Sequence, residues 1–333
     1  MNKFAFIIHP NAMEDVHQKF PMTKYVPDFF WNKASQIIPP SKVSEVKGIH
    51  SAYNEVKGDI ISCPFTSQQF LDLSTEVSIR KIIKAVKLAE RNGAEVVGLG
   101  AMTSVIGEGG RIVAQNVGIP VTTGNSFTVF TALEGTKRAV KMRGIDWLRA
   151  KVVVLGAMEG VGKVCTRIIA KESRYLTLVA RQQNKLEKLA AKILYETGLA
   201  VKITRNLKAE LRKADVVIAI TSALDTMVEP EDLKPGSVVC DVVYPRNISR
   251  MVAEKRKDVL VINEGVVDVP GDLGLNNTSG FLAGKYNASM AETIILALEK
   301  KYESYSLGKD MTIEQVEEMG SLAHKHGIKL VGF

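Results

Sequence analysis

Short apolar runs and amphipathic stretches alternate along most of this chain of 333 residues. Between residues 79 and 86, isoleucine and valine recur every three or four positions, which is typical of one face of a helix. Strands that alternate with helices predict an α/β fold with parallel sheets, although residues 11–57 show no clear pattern. We expect strands over residues 4–8, 60–61, 95–99, 119–122, 152–155, 176–180, 201–204, 215–220, 238–243 and 260–262.

One of these strands leads into a glycine-rich turn and then into a helix. The apolar run Val152–Leu155 ends at Gly156, and the next helix is predicted to begin near Gly160. Such a unit leaves backbone N–H groups free at a helix N-terminus, where a pyrophosphate can bind. Its glycines suit a tight turn and a close approach of phosphates. The turn therefore predicts a dinucleotide site formed by Gly156, Ala157, Met158, Glu159, Gly160, Val161 and Gly162.

The following strand ends at Arg181, where dinucleotide-binding folds select their cofactor. An acidic residue at this point binds the ribose 2′-hydroxyl of NAD, whereas an arginine suits the 2′-phosphate of NADP. Residues 180–185 include no aspartate or glutamate, so NADP(H) is expected as the cofactor and NAD(H) is disfavoured. The ends of this strand and its neighbours add Ala180, Arg181, Thr221, Ser222, Val243, Tyr244 and Gly265 to the predicted cofactor contacts.

The chain is too long for one typical core, so two domains are expected. Residues 1–145 are predicted to form an N-terminal parallel α/β domain that binds the substrate. Residues 146–285 are predicted to form a C-terminal Rossmann-type NAD(P)-binding domain. Residues 286–333 hold two helical patterns, over about 288–302 and from Thr312, whose Thr-x-x-Gln sequence resembles a capping box. We expect these terminal helices to pack back across the cleft to the first domain.

Glycines and polar residues follow two strands of the first domain. Because ligands bind at the carboxyl ends of parallel strands, these loops are predicted to face the substrate. A plain connecting turn is the alternative for each residue. Two further residues are candidate acid/base groups: Glu108 in the first loop, and His9 at the end of the first strand, although a lone histidine is more often structural. The predicted substrate-binding residues are Gly100, Thr103, Ser104, Thr123, Asn125 and Ser126.

The net charge of +8 favours anionic partners, such as cofactor phosphates, an acidic carrier protein or nucleic acid. The lysines are spread along predicted helices without a recognition-helix or RNA-binding motif, so nucleic-acid binding is not expected. No apolar run reaches the ~18–20 residues of a membrane span. The three cysteines lack metal-ligand spacing. We therefore expect no metal site, free thiols and a cytoplasmic protein.

Five stretches, in order and together covering nearly the whole chain, resemble the cyanobacterial long-chain acyl-[acyl-carrier-protein] reductases. The two-domain plan is also similar to that of the shikimate dehydrogenase superfamily. Residues 122–128 lack the aspartate that shikimate dehydrogenases place beside the corresponding asparagine, so shikimate itself is not expected as the substrate. The stretches that resemble the reductases are Val97–Glu108, Thr122–Ser126, Val154–Gly162, Asp241–Asn247 and Met311–Gly327.

This resemblance implies NADPH-dependent reduction of a fatty acyl thioester to an aldehyde, through a cysteine that holds the acyl group. The matching position here is Ser289. A hydroxyl needs an adjacent base to act as a nucleophile, and an acyl-serine accepts hydride less readily than a thioester, so a covalent mechanism is disfavoured. The structural alternative is that Ser289-x-x-Glu292 is a helix capping box. Among the thiols, only Cys63, at a strand end, is a candidate substitute.

Three functions remain open from the sequence. The first is an NADP(H)-dependent oxidoreductase that acts on a carbonyl or acyl-thioester substrate in the cleft, with His9, Glu108 and Ser289 as candidate catalytic residues. The second is a dehydrogenase of a small hydroxy or amino acid with direct hydride transfer. The third is a non-catalytic protein that binds NADPH or an acyl carrier protein. A homo-oligomer is compatible with each.

Overall fold

The computed structural model describes residues 2–19, 28–158, 160–179, 183–220, 228–242, 247–262, 265–271, 284–308 and 311–332. The chain divides into two compact units. The first unit contains residues 1–125, 267–308 and 321–329, and the second contains residues 126–266, 309–320 and 330–333. The division thus falls at residue 125 rather than at 145, and each unit receives part of the C-terminal segment.

The helices and strands alternate over much of the chain, although in places two elements of one kind follow each other. The first are β1 (Asn2–Ile8), α1 (Met13–Lys19), α2 (Asp28–Ile37), β2 (Ser41–His50), β3 (Glu55–Ser62), α3 (Ser67–Asp72), α4 (Thr75–Arg91), β4 (Val96–Leu99), α5 (Met102–Gly109), α6 (Arg111–Ala114) and β5 (Val121–Thr122). The next are α7 (Asn125–Met142), β6 (Lys151–Leu155), α8 (Val161–Glu172), β7 (Tyr175–Val179), α9 (Gln183–Thr197), β8 (Lys202–Thr204), α10 (Leu207–Leu211), β9 (Val216–Ala219), β10 (Val238–Asp241), α11 (Asn247–Lys255) and β11 (Leu260–Ile262). The last are β12 (Val266–Asp268), β13 (Lys285–Asn287), α12 (Ala288–Glu299), α13 (Ile313–Lys325) and β14 (Lys329–Gly332).

A five-stranded sheet with the order β2-β3-β1-β4-β5 forms the centre of the first unit. β1 lies parallel to β3 and β4, and β5 lies parallel to β4. Helices α4 and α12 pack on β1 and β3. Phe4 and Ile7 of β1 are consequently fully buried. The carboxyl ends of β1, β4 and β5 lie at the same edge of this sheet.

Strand β2 makes this sheet mixed, because it runs antiparallel to β3. The prediction of an all-parallel sheet in the first domain is wrong at this strand. The register of β2 shifts between Lys42 and Ser44 and again between Val46 and Ile49. Its two buried residues, Val46 and Ile49, consequently lie three positions apart, so the alternation of period two that marks a strand is lost.

Helix α12 is an interior helix of the first unit. Nearly all of its residues are buried, as expected of a helix that is apolar on every side. Gly98 of β4 permits the close approach of this helix, since a Cβ atom at that position would lie 2.0 Å from Thr293 Oγ1. The helix ends at Glu299, where Lys300 adopts a left-handed φ of 56°. The predicted helix over about 288–302 is thus confirmed except at its last residues.

A six-stranded sheet with the order β11-β10-β9-β6-β7-β8 forms the second unit. All of its pairings are parallel. This is the doubly wound order of dinucleotide-binding folds, and it confirms the predicted Rossmann-type fold. The strand order reverses between β6 and β9. Ligands of such sheets bind at the carboxyl edge beside this reversal.

Alternate residues of these strands enter two separate hydrophobic cores. Val152 and Val154 pack with α7, α8, α9 and the start of α13. Val153 and Leu155 pack with α10 and α11 on the other face of the sheet. Because both faces of β6 are covered, its sequence is a continuous apolar run rather than an alternating one.

The remaining strands form a third sheet in the order β13-β12-β14. Helix α13 begins with the predicted capping box. Gln315 N–H donates to Thr312 Oγ1 at 3.2 Å, and Thr312 N–H donates to Gln315 Oε1 at 3.0 Å. Among the described helices, none is both long and apolar enough to cross a lipid bilayer.

Candidate functional site

The polar strand ends of the first unit lie along one edge of its sheet. Because β1, β4 and β5 are parallel, His9, Gly100 and Thr123 follow their strands at the same carboxyl edge. Tyr305 pairs with Thr122 in a further parallel bridge at the end of β5. The structure therefore brings the two predicted substrate loops and the predicted acid/base histidine to one edge.

His9 joins the end of β1 to the start of α5. Its Nδ1 lies 2.8 Å from Pro10 O, and its Nε2 accepts a hydrogen bond from Met102 N–H at 3.0 Å. These partners assign the proton to Nδ1 and leave the ring neutral. Burial lowers the pKa of His9, against a smaller opposing effect of the Pro10 hydrogen bond. Both ring nitrogens bind backbone groups, which favours a structural role, and the acid/base role stays a prediction.

Strained backbone conformations concentrate near this edge. Ala101 has φ 47° and ψ −125°, a combination that glycine adopts readily and alanine rarely. Glu108 has φ 57° and Ser306 has φ 55°. Lys300, at the end of α12, completes the set of non-glycine residues with positive φ in the described part of the chain. Strain of this kind persists where surrounding contacts fix it, and it clusters at functional sites.

Glu108, a predicted catalytic residue, lies in a left-handed break within α5. Residues 107–110 all have positive φ, and the Glu108 side chain is exposed. Gly308 N–H donates to Gly109 O at 2.9 Å, and a Cβ atom on Gly109 would lie 2.8 Å from Gly308 Cα. The turn that carries Glu108 is therefore fixed against residues 306–308. A catalytic role for this carboxylate stays a prediction.

The predicted substrate residues after β4 are hydrogen-bonded within their own turn. Thr103 Oγ1 donates to Gly100 O at 2.7 Å, and Ser104 Oγ donates to Ala101 O at 2.7 Å. Gly100 N–H donates to Ile7 O at 3.0 Å. Thr103 is fully buried, whereas Ser104 is half-buried. These side chains shape the loop, and of the two only Ser104 is partly open to solvent.

The predicted substrate residues after β5 differ in burial. Thr123 Oγ1 donates to Ser306 O at 2.6 Å and is buried. Asn125 is half-buried at the start of α7, and Ser126 beside it is fully buried. Asn125 is therefore the residue of this loop that is best placed for a ligand. Substrate contacts of all three residues stay predictions.

Ser289 lies directly against the loop that follows β5. Gly124 has φ 76°, and a Cβ atom on it would lie 2.3 Å from Ser289 Cα and 2.6 Å from Ser289 Cβ. Only a residue without a side chain can make this contact. Ser289 is the second residue of α12 and is half-buried. The structure thus brings together the loop and the serine that the sequence analysis selected separately.

The capping-box interpretation of Ser289 and Glu292 is wrong. Helix α12 begins two residues earlier than that pattern requires, with Asn287 as its N-cap, and the Asn287 side chain makes no capping hydrogen bond. Glu292 Oε1 instead accepts hydrogen bonds from Thr122 Oγ1 at 2.5 Å and from Ser306 Oγ at 2.7 Å. Its side chain is fully buried. Glu292 therefore joins neighbouring loops rather than the start of its own helix.

The cysteines provide no substitute nucleophile. Cys63, Cys165 and Cys240 are all buried free thiols. Burial raises the pKa of Cys63 to about 12 and also raises the pKa of Cys165. Because the thiolate is the reactive form, this environment disfavours Cys63 as a nucleophile. Among the described residues, no three histidine, cysteine, aspartate or glutamate side chains form a group that could hold a metal ion.

The glycine turn of the second unit fits a dinucleotide. Gly156 has φ 85°, and Gly160, the N-cap of α8, has φ 50° and ψ −123° with no side chain to cap the helix. A Cβ atom on Gly162 would lie 2.1 Å from Gly156 O, so the turn closes tightly on the helix. The first turn of α8 thereby keeps backbone N–H groups for an anion. Ala157 is fully buried beneath this turn, and Met158 and Val161 are half-buried.

Of the remaining predicted cofactor residues, the structure describes only Gly265. Gly265 is buried, and a Cβ atom on it would lie 2.6 Å from Thr131 Cβ and 2.7 Å from Leu330 Cδ1. Close packing is therefore a sufficient reason for glycine there, and a cofactor contact stays a prediction. The residues outside the described part of the chain are Glu159, Ala180, Arg181, Thr221, Ser222, Val243 and Tyr244.

Sequence reasoning missed three polar residues of this edge: Thr122, Glu292 and Ser306. Glu292 lies between alanine and threonine within a mostly apolar helix. A carboxyl group inside such a helix is rarely buried without hydrogen-bonding partners. The position of Glu292 in an apolar stretch could therefore have indicated a buried, hydrogen-bonded carboxyl group. The Ser-x-x-Glu pattern, however, suggested a helix cap instead. Thr122 was noted only as the first residue of a stretch that resembles the reductases, and Ser306 has no distinguishing sequence feature.

A comparison with protein families matches only the second unit of this chain. The model of the family described as shikimate/quinate 5-dehydrogenase matches residues 138–264, which belong to the second unit. The chain is 29% identical over 339 aligned residues to the aminotransferase PigE of a Serratia species. That alignment covers 98% of this chain but 39% of PigE, so the chain spans about two fifths of that relative.

A second relative matches from end to end. The chain is 26% identical over 346 aligned residues to the long-chain acyl-[acyl-carrier-protein] reductase of Synechococcus elongatus, and the alignment covers 98% of each protein. Among solved structures, ligand-free 5-ketofructose reductase of Gluconobacter sp. strain CHM43 is similar over 96% of this chain and 98% of that chain, with 14% identity and a TM-score of 0.38. The sequence matches confirm the resemblance to acyl-[acyl-carrier-protein] reductases and the prediction of a nicotinamide-dependent oxidoreductase.

Proposed function

Because this oxidoreductase is homologous to a long-chain acyl-[acyl-carrier-protein] reductase along almost the whole of both sequences, we propose that it reduces an acyl thioester to an aldehyde. A bound NADPH supplies the hydride. One acyl thioester, one NADPH and one proton give one aldehyde, one thiol and one NADP⁺. A C–H bond forms at the carbonyl carbon, the C–S bond breaks, and the departing sulfur takes up the proton.

The observation that carries this proposal is the placement of Ser289. The resemblance assigns this position to the residue that meets the acyl group. In the structure, Ser289 lies at the N-terminal end of α12, is half-buried and contacts the left-handed Gly124. The strained residues Ser306 and Glu108 lie in turns at the same edge. Such an edge suits the binding of a reactive carbonyl group.

Ser289 acts by hydrogen bonding in this proposal. A serine hydroxyl is not ionised near neutral pH and becomes a nucleophile only with an adjacent base. The buried carboxyl group of Glu292, three residues along the helix, accepts from Thr122 and Ser306. In this proposal the acyl group stays on its carrier thiol, and Ser289 Oγ–H donates to the thioester carbonyl oxygen. The positive end of the α12 dipole favours the negative charge that develops on that oxygen.

The second unit would hold the cofactor at its glycine turn. Gly156, Gly160 and Gly162 leave room for a pyrophosphate at the N-terminus of α8. The preference for NADPH over NADH is supported by residues 180–185, which include Arg181 and no carboxylate. An arginine pairs well with a phosphate monoester and gives no acceptor for a free 2′-hydroxyl.

Two further observations support an acyl thioester on an acidic carrier as the substrate. The net charge of +8 favours a negatively charged protein partner. PigE, which matches this chain over 39% of its length, is described as an aminotransferase. An aldehyde is a carbonyl compound of the class that transamination converts to an amine, so the proposed product agrees with that pairing.

Dehydrogenation of a small hydroxy or amino acid has less support. The shikimate/quinate dehydrogenase match covers residues 138–264, which belong to the second unit. The predicted substrate residues from Gly100 to Asn125 belong to the first unit. The match therefore supports the cofactor and does not favour a small acid as the substrate.

The test is aldehyde formation by the purified protein from a long-chain acyl carrier protein thioester, followed by gas chromatography with mass spectrometry. We expect aldehyde with NADPH and a much lower rate with NADH. Ser289→Ala should lower kcat by about 100-fold, the usual effect of removing a hydrogen bond to a developing oxyanion. NADPH binding without aldehyde from any long-chain acyl thioester would refute the proposal.

Ser74→Ala is the matched control for Ser289→Ala. Ser74 also lies at the start of a helix of the first unit, where its Oγ accepts from Val77 N–H at 3.4 Å. Its loss should lower the free energy of unfolding by about 0.5–2 kcal/mol without changing kcat. An equal loss of kcat in both variants would mean that Ser289 acts only through the stability of its helix.

A further inference from the structure

A buried carboxyl group connects two loops at the edge where Ser289 lies. Glu292 is 0% exposed. Its Oε1 accepts from Thr122 Oγ1 at 2.5 Å, at the end of β5, and from Ser306 Oγ at 2.7 Å, in the segment after α12. These segments are far apart in sequence, so a single oxygen atom links three parts of the first unit.

The hydrogen bonds continue from this oxygen into both loops. The Thr122 hydroxyl, which donates to Glu292, accepts from Gly124 N–H at 3.3 Å. Thr123 Oγ1 donates to Ser306 O at 2.6 Å, so the loops are also joined directly. Gly124 has φ 76° and Ser306 has φ 55°. Contacts such as these are what keep a strained backbone in place.

Any shift of the 122–124 loop reaches Ser289 directly. Gly124 packs so closely on Ser289 that a methyl group would not fit between them. Ser289 and Glu292 are three residues apart on the same helix, and α12 is fixed by its burial along nearly its whole length. Glu292 therefore holds the loop against the part of the helix that carries Ser289.

We infer that Glu292 is a positioning residue for the proposed reduction, which sets the 122–124 loop and Ser306 around Ser289 and so aligns the acyl carbonyl. This inference rests on the function proposed above. Without the Glu292 carboxyl group, two buried hydroxyls lose their acceptor, and the Gly124 contact relaxes. A displacement of about 1 Å at a reacting group lowers the rate by ~100-fold.

The experiment compares Glu292→Gln, Glu292→Met and Thr122→Val. Glutamine keeps an oxygen that accepts from both hydroxyls, methionine fills a similar volume without an acceptor, and valine removes one hydroxyl at nearly constant shape. The control is Thr136→Val, because Thr136 is also fully buried and donates to Ala132 O at 2.7 Å, but within α7. The readouts are hydrogen exchange of the amides of residues 122–125, kcat, and KM for the acyl carrier protein.

We expect faster amide exchange at Gly124 in Glu292→Met and Thr122→Val, and no change in Thr136→Val. In Glu292→Met, kcat should fall by about 10- to 100-fold, with little change in KM, because the carbonyl is misaligned while the carrier still binds. Glu292→Gln should restore most of kcat. Thr122→Val is the milder variant if Glu292→Met does not fold.

Two results would overturn the inference. Unchanged exchange at residues 122–125 in Glu292→Met would show that Glu292 does not hold the loop, whatever the activity. Faster exchange with an unchanged kcat would show that the loop position does not matter for the reaction. The exchange experiment needs no substrate, so failure of the proposed function, seen as absent aldehyde in the wild type, is distinguished from failure of this inference.

Discussion

The tetrapeptide Leu-Gly-Ala-Met occurs twice in this protein, each time beginning at the last residue of a buried parallel strand. Leu99–Met102 begins at the end of β4 in the first unit, and Leu155–Met158 begins at the end of β6 in the second. In each unit the helix N-cap has nearly the same backbone conformation, φ 47° and ψ −125° at Ala101 and φ 50° and ψ −123° at Gly160. The two turns nevertheless differ in length and in the groups that bind the N-terminus of the helix that follows.

A side chain of the protein binds the helix N-terminus after the first turn, whereas no cap from Gly160 closes the helix in the described part of the second. Helix α5 begins at once with Met102, whose N–H is bound by His9 Nε2. Helix α8 begins only at Val161, after a glycine that offers no side chain to cap it. The shared tetrapeptide therefore does not determine ligand binding. The surroundings of each turn decide whether the helix N-terminus is occupied by a side chain or remains available to a phosphate.

The largest effect should come from Gly162→Ala. Its new Cβ would lie 2.1 Å from Gly156 O, a contact with backbone that only a shift of the turn can relieve. Overpacking of about 1–3 kcal/mol corresponds to a loss of NADPH affinity of roughly 10- to 100-fold, measurable by fluorescence titration. Gly100→Ala, whose Cβ would lie 2.8 Å from Ile7 O, should destabilise the first unit and leave NADPH affinity unchanged. Equal losses of NADPH affinity in the two variants would contradict the conclusion that only the second turn binds the cofactor.

A smaller effect is expected from exchanging the N-cap residues. Ala101→Gly should relieve strain and change the free energy of unfolding by no more than about 1 kcal/mol, because the entropy of glycine opposes the gain. Gly160→Ala should cost about 1–2 kcal/mol, the usual penalty for a left-handed non-glycine residue, and weaken NADPH binding. Urea unfolding measures both. A loss of several kcal/mol in Ala101→Gly would mean that the Ala101 side chain stabilises the turn.

The smallest effect is a pH dependence from His9. Burial lowers its pKa in the folded state below the ordinary value of 6.5, so the unfolded chain binds the proton more readily. The contribution of His9 is complete above about pH 6.5 and is lost as the pH falls below that value. The unfolding free energy of His9→Gln should therefore fall less between pH 7 and pH 5 than that of the wild type, by at most about 1.4 kcal/mol per pH unit. His50→Gln, at an exposed histidine, is the control, and an identical slope in His9→Gln and the wild type would contradict the burial argument.

The sequence was sufficient to predict the parts of the fold in which apolar residues follow a simple pattern. The strands of the second unit are buried on both faces, so they appear as apolar runs, and their order follows from the doubly wound pattern. Strand β2 was missed because its bulges change the spacing of Val46 and Ile49. The predicted boundary between the units also differs from the observed one, because the long helix α7 belongs almost entirely to the second unit although it precedes β6.

The candidate site was predictable only in part, for a reason that Glu292 illustrates. A glutamate three positions after a serine at a helix start suggests a local cap. Only the fold reveals its partners, Thr122 at a distance of 170 residues along the chain and Ser306 beyond the end of the helix. The glycine turn has the opposite character. Its function depends on residues within one strand, turn and helix, so local sequence was enough to identify it.

The most direct test of the proposed reaction uses NADPH deuterated at its transferable position. The protein is incubated with a long-chain acyl carrier protein thioester, and the aldehyde is analysed by mass spectrometry. The account predicts one deuterium at the aldehyde carbon for each NADPH oxidised, and no acyl group retained on the protein when NADPH is omitted. Bound NADPH with no labelled aldehyde would contradict the proposed reaction, and an acyl adduct on Ser289 would contradict its hydrogen-bonding role.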